Sequence, residues 1–226
     1  MWKKYQVDLQ MTGRFAAALP KTEKEIKAML ENRMPTNPPP DYMPIEQLVG
    51  QVLKAVVPAT ADRNTEVDTE EAEMQFGWAT FPHDEKGNLY YEGRCIRGHL
   101  KDCANQIKDI LKPPMKALKA KVANKVYVMT DIIPLYTHFP TQAQKPDGTE
   151  TRFVHVMTMQ GERSTIKYLD YLEKPVLSFV LNVLEDGIIT EDILRAIFDY
   201  GSVHGLGQDR STGWGRYTYK ITLLAQ

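Results

Sequence analysis

The chain has 226 residues, 42% of them hydrophobic and 25% charged, which is enough length and apolar content for a buried core. That composition excludes a collagen-like repeat, a wholly disordered chain and a disulfide-stapled miniprotein, and no apolar run reaches the roughly 18 residues that span a bilayer. Lys plus Arg number 28 against 29 Asp plus Glu, and a net charge of −1 argues against a protein that coats nucleic acid through bulk positive charge.

From the N-terminus, Lys4 to Thr12 alternates as a strand, with Tyr5, Val7, Leu9 and Met11 on one face. Met1 to Asp8 has no apolar block of signal-peptide length, and Cys95 and Cys103 are the only cysteines. These features predict a cytoplasmic protein without a disulfide framework. Thr22 and Glu25 form a capping-box pair before a short helix with Ile26, Met29 and Leu30 on one stripe. Met34 to Pro44 is a proline-rich connector, and Ile45 to Val57 has helical periodicity. Ala61 to Phe76 contains six acids and one Arg, so Ala59 to Met74 reads as a mobile acidic surface loop. Phe76 to Phe81 and Tyr90-Tyr91 read as the two arms of a hairpin.

The next helix is the clearest, with Ile96, Leu100, Cys103, Ala104, Ile107, Ile110 and Leu111 on one face and Pro113-Pro114 as its stop. Arg97, Lys101, Lys108 and Lys112 line a different face, and Lys116, Lys119, Lys121 and Lys125 continue the basic segment. Val126 to Leu135, Phe153 to Gln160 and Val176 to Leu184 read as strands, the first two joined by a polar loop at Lys145-Pro146-Asp147-Gly148. Thr190 caps a helix with Ile193, Leu194, Ile197 and Phe198 facing inward and Gly201 at the C-cap position. Trp214 to Leu223 closes as a strand. The reduced order of strand, helix, strand, strand, helix, strand predicts an α+β fold with a ferredoxin-like (RRM-like) βαββαβ core. The expected organisation is one domain over 1–226 with insertions at 20–75 and 136–152.

Tyr200 to Arg216 holds five glycines between a helix and the last strand. Glycine permits positive φ and close backbone approach, and Arg210 and Arg216 supply charge suited to phosphate. The segment is neither the dinucleotide fingerprint nor a P-loop, and two readings stand: a phosphate-gripping loop, or a turn that only closes the sheet.

Gly205-Leu206-Gly207-Gln208-Asp209-Arg210-Ser211-Thr212-Gly213-Trp214-Gly215-Arg216 resembles the C-terminal glycine-rich loop of the repeat-associated mysterious protein (RAMP) superfamily of CRISPR-associated proteins. Tyr90 to Asp102 resembles that family's strand-to-helix element. The segment Pro20 to Met74 has no counterpart in it. The resemblance implies an RNA-binding subunit of an effector complex, holding guide RNA (crRNA) and assembling with sister subunits or copies of itself. Target nucleic acid is a further possible partner. It implies RNA contacts from Arg94, Arg97, His99, Lys101, Lys108, His204, Gly205, Gly207, Gln208, Arg210, Ser211, Gly213 and Arg216, without catalysis.

The alternative from the same resemblance is a metal-independent endoribonuclease with His99 or His204 as general acid or base. A RAMP-like interaction protein outside CRISPR is a third reading. Some relatives cut target RNA with a loop Asp, and Asp41, Asp62 and Asp68 lie in loops of the unmatched segment. The five histidines have no metal-ligand spacing and neither cysteine belongs to a CxxC, so no metal or cofactor is expected.

Overall fold

The structure, a computed structural model, describes residues 1–35, 39, 42–56, 76–158 and 161–225. The expectations for Ala59 to Met74 and for Asp41, Asp62 and Asp68 lie outside the described residues. The fold is mixed α/β, with two sheets and five α-helices among the described residues. In chain order the elements are β1 (Trp2–Met11), β2 (Arg14–Ala16), β3 (Leu19–Pro20), α1 (Glu23–Glu31), α2 (Ile45–Val56), β4 (Phe76–Thr80) and β5 (Tyr90–Glu92). There follow α3 (Gly93–Ile107), α4 (Leu118–Lys125), β6 (Val126–Val128), β7 (Ile132–His138), β8 (Thr141–Gln142) and β9 (Gly148–Thr158). The last are β10 (Gly161–Glu173), β11 (Val176–Leu184), α5 (Glu191–His204) and β12 (Tyr217–Leu223).

Two compact units share the chain. The first contains Met1–Phe15, Tyr90–Ala143 and Leu172–Gln226. Its sheet runs β12-β1-β11-β7-β5, with β6 also on β11 and β8 on β7. β1 is antiparallel to neighbours on both sides, with Trp2 opposite Leu184 through Gln10 opposite Val176, and Tyr5 opposite Leu223 through Met11 opposite Tyr217. The period of two puts Tyr5, Val7, Leu9 and Met11 of β1 and Leu177, Phe179, Leu181 and Val183 of β11 into the core. α3 and α5 pack against each other. They bury Ile96, Leu100, Cys103, Ala104 and Ile107 from α3, and Leu194, Ile197 and Phe198 from α5. Thr190 Oγ1 accepts from the Ile193 amide at 3.3 Å, the expected cap on α5.

The second unit contains Ala16–Leu89 and Gln144–Tyr171. Its helices share a small core of Ile26, Val49 and Val56, with Leu30, Ile45, Val52 and Leu53 partly buried around it. Thr22 Oγ1 accepts from the Glu25 amide, the expected N-cap, but Glu25 Oε2 accepts from the Thr22 hydroxyl at 2.9 Å and from the Trp78 amide at 3.4 Å, so only the forward half of the capping box forms. The second sheet runs β2-β10-β4-β3, with β9 on β10. Asp170 of β10 is buried and accepts from Trp78 Nε1 at 3.0 Å and Thr149 Oγ1 at 2.6 Å.

Several local expectations are corrected. Phe76 to Tyr91 turns at Asp84–Asn88, but its arms do not pair with each other. β4 runs parallel to β10, while β5 pairs with β7. α3 ends at Ile107, short of Pro113, and Ile110 is 70% exposed. The expected strand Val126 to Leu135 is broken into β6 and β7. Gly201 lies inside α5 and is buried; the C-cap is Gly205, at φ 85°. The closing strand starts at Tyr217, since Trp214 and Gly215 belong to the preceding turn.

Candidate nucleic-acid interface

Consecutive residues turn 100° about a helix axis, so α3 divides into three stripes. Ile96, Leu100, Ala104 and Ile107 define the buried one. Arg94, Arg97, Lys101 and Lys108 fall on one flank, while Cys95, His99 and Asp102 fall on the other. Contacts agree with this division. Arg97 donates to the Ala123 carbonyl of α4 at 3.0 Å and its guanidinium lies 5.4 Å from the Tyr127 ring centre. On the opposite flank, Asp102 meets His204 of α5 and Arg210 of the glycine-rich loop. The basic stripe and the loop therefore occupy two separate flanks of α3.

On the loop side a polar cluster forms. Asp102 Oδ2 lies 3.1 Å from His204 Nε2 and 3.2 Å from Arg210 NH1, and Arg210 NH1 is 2.8 Å from His204 Nε2. The side chains of Asp102, His204 and Arg210 are 40%, 27% and 39% exposed, so incoming ligands can reach all three. Partial burial pushes the Asp102 carboxyl up, but hydrogen bonds from His204 and Arg210 outweigh it and hold the group below its ordinary value. Tyr200 stacks on His204 with ring centres 5.3 Å apart, fixing the imidazole from behind. His204 is also the last residue of α5.

Beneath this cluster lies a buried layer. His99 is 6% exposed, its ring near-parallel to His204 at 6.4 Å, and its Nε2 is hydrogen-bonded to the Tyr217 hydroxyl at 2.9 Å. Burial, with help from His204 and Arg210, lowers its pKa to about 4, so the imidazole is neutral at physiological pH. Burial also pushes the Cys103 thiol up to about 12, which leaves it inert as a nucleophile. Gly201 is required here: a Cβ would collide with the Tyr217 hydroxyl and stand 2.7 Å from His99 Nε2.

The loop is held mainly by its own backbone. Gly205 N–H donates to Gly201 O at 2.9 Å, Leu206 to Gly215 O at 2.8 Å, Gly213 to Arg210 O at 3.0 Å and Gly215 to Arg14 O at 2.8 Å. Those four amides are occupied inside the protein and are not open to an anion. Leu206 and Trp214 are buried and anchor the loop, while Arg210, Ser211 and Arg216 are exposed and Gly207 and Gln208 half-buried.

Of the residues named from sequence, the structure brings His99, His204, Gly205 and Arg210 into one place. Arg94 is paired with Glu92 at 2.5 Å, and Lys108 with Asn105 at 3.5 Å, on the other flank. Asp102, Cys103, Tyr200 and Tyr217 escaped the sequence reading as members of the cluster. The spacing of 99, 102 and 103 gave a local signal, but the meeting with positions 200–217 is a tertiary event. Among the described residues no group of three or more His, Cys, Asp or Glu side chains could hold a metal ion. No described helix is long and apolar enough to cross a membrane.

No protein-family model and no curated protein matches the chain. Among solved structures, one similar chain belongs to a type III-B Cmr-beta complex bound to cognate target RNA. It is 14% identical, with 98% of this chain and 61% of that chain covered, at a TM-score of 0.43. This chain thus spans about three-fifths of that relative's length. Another belongs to a type IV-B CRISPR complex, 11% identical, covering 99% of this chain and 92% of that chain at a TM-score of 0.47.

Proposed function

We propose that the chain is an RNA-binding subunit of a CRISPR effector complex, which holds guide RNA through its sugar-phosphate backbone and assembles with other subunits or with copies of itself. The observation that carries this reading is the convergence of Arg210 and His204 on a single oxygen position at an accessible surface. Two nitrogen donors on one anionic oxygen is how phosphate is gripped without reading a base. In this reading Arg216, Gly207, Gln208, Ser211 and Gly213 of the same loop add further RNA contacts. The basic flank of α3 (Arg94, Arg97, Lys101 and Lys108) forms a second, separate track.

The support for a ferredoxin-like core of the RAMP kind is the strand order β12-β1-β11-β6, antiparallel throughout, with α3 coming after β5 and before β6 in the chain and α5 following β11. In that reading 1–226 is one domain, and 20–75 and 136–152 are insertions. His99 supports the site from within.

Binding of a single-stranded repeat RNA, measured by anisotropy at two salt concentrations, tests the reading. Arg210→Ala is expected to weaken binding about tenfold, the equivalent of one charge-assisted hydrogen bond, with an unchanged melting temperature. Unchanged affinity would remove the loop from the site. The ribonuclease alternative has one observation in its favour, an accessible His204 beside a carboxylate and a guanidinium. Cleavage of a repeat hairpin in EDTA, abolished by His204→Ala, would establish that alternative instead.

A further inference from the structure

Asp102 stands where the proposed function needs a phosphate. Its Oδ2 lies within hydrogen-bond distance of both nitrogens of the cluster, His204 Nε2 and Arg210 NH1. The arrangement is also overcommitted. His204 Nε2 lies 3.1 Å from the carboxylate and 2.8 Å from Arg210 NH1. One imidazole nitrogen cannot donate to the first and accept from the second at once. With Nε2 bare, it accepts from Arg210, and the arginine alone holds the carboxylate. With Nε2 protonated, it donates to Asp102 and faces the guanidinium unfavourably. Here both nitrogens crowd one carboxylate oxygen, Oδ2, whereas a phosphodiester seated between them can offer a separate non-bridging oxygen to each.

We infer that Asp102 is an internal stand-in for phosphate, occupying the anion seat between Arg210 and His204 and competing with the RNA phosphodiester for it. This rests on the reading of the chain as an RNA-binding subunit. Asp102 holds both donors in place when RNA is absent, and it yields the seat when RNA arrives. It thereby sets the affinity: the phosphate must exceed the carboxylate's hold, and weak or mispositioned anions fail to do so. Its side chain is 40% exposed on a helix surface, so it can turn outward without disturbing the buried stripe of α3.

The test compares wild type with Asp102→Asn, an isosteric change that removes the charge, using a single-stranded oligouridylate as probe. The inference expects the variant to bind roughly tenfold more tightly at low salt, the gap narrowing as salt rises. A purely structural Asp102 predicts the reverse, since loosened donors would bind less well. Binding by wild type with no gain in the variant overturns this inference and leaves the RNA-binding reading intact. Absence of binding in both proteins overturns both. Binding by the variant alone supports the inference most directly. A second measurement needs no substitution: titrating wild type with the same oligonucleotide should shift the His204 imidazole NMR signals as its carboxylate partner is exchanged. Unmoved His204 signals at saturating RNA would also overturn it.

Discussion

Gly205 and Gly215 sit at φ 85° and 71°, and each faces a carbonyl that a side chain could not share. A Cβ on Gly205 would lie 2.6 Å from Trp214 O, and one on Gly215 would collide with the Leu206 carbonyl. These glycines close the loop on itself, whereas the Arg210 side chain lies exposed at its surface. Gly215→Ala should therefore cost about 2–4 kcal/mol of stability in chemical denaturation, through strain and steric overlap. Loss of RNA affinity without loss of stability in that variant would contradict the assignment. His99 makes a pH-dependent contribution of definite sign. Its folded pKa of about 4 is below the unfolded value near 6.5, so the unfolded chain binds the proton first as pH falls. Its contribution is complete above about pH 6.5 and is lost on descending toward pH 4, by an amount on the order of 3 kcal/mol. His99→Gln should flatten the melting temperature across that window. An equal acid slope in wild type and variant would show that other groups control it.

At the level of elements, α3 presents different chemistry on its two flanks, and the flanks should act independently. Charge reversal of Arg94, Arg97 and Lys101 touches the side facing α4 and β6; Arg210→Ala touches the side facing α5. With no partner shared between them, the two sets of losses in RNA affinity should multiply within about twofold when combined. Each phosphate contact removed should also lower the salt slope by about 0.7. A combined loss far smaller than the product would mean one continuous contact. Much of this architecture was legible from local signals. The alternation in β1 and β11, the Thr22 and Thr190 caps and the buried stripe of α3 are written in period and cap chemistry. What failed was non-local or unsignalled. α4 starts at Ala117 in a left-handed conformation with no capping side chain, and its lysines read as mere charge. β10 places Asp170 among its inward residues, which spoils the apolar alternation of a strand. The Phe76–Tyr91 hairpin failed because the turn is real but each arm finds a better partner elsewhere. The candidate site was half legible: glycine content and Arg210 pointed to the loop, but Asp102 comes 108 residues before Arg210.

Across the whole molecule, the two compact units differ in how their residues are secured. In the first, β1 is hydrogen-bonded along both edges, through nine register pairs with β11 and seven with β12. Its Tyr5, Val7, Leu9 and Met11 side chains alternate into the core. In the second, α1 and α2 rest on a small cluster whose buried members among the described residues are Ile26, Val49 and Val56. α1 spans nine residues, below the length at which helix formation in water sustains itself, so its persistence depends on that small cluster. Local opening free energy scales with the apolar contact that must be broken, which places α1 and α2 at the low end and β1 at the top. Native-state hydrogen exchange should resolve this as two tiers. Amides of Val7 and Leu9 should exchange only through global unfolding, with a denaturant dependence matching the full transition. Amides in α1 and α2 should exchange at least about a hundredfold faster relative to their intrinsic rates, equivalent to roughly 3 kcal/mol less protection. Ile26→Ala should widen the gap by unfastening α1, while leaving β1 protection unchanged. Equal protection in α1 and β1, or a loss at Val7 and Leu9 on Ile26→Ala, would show that the chain opens as one cooperative body.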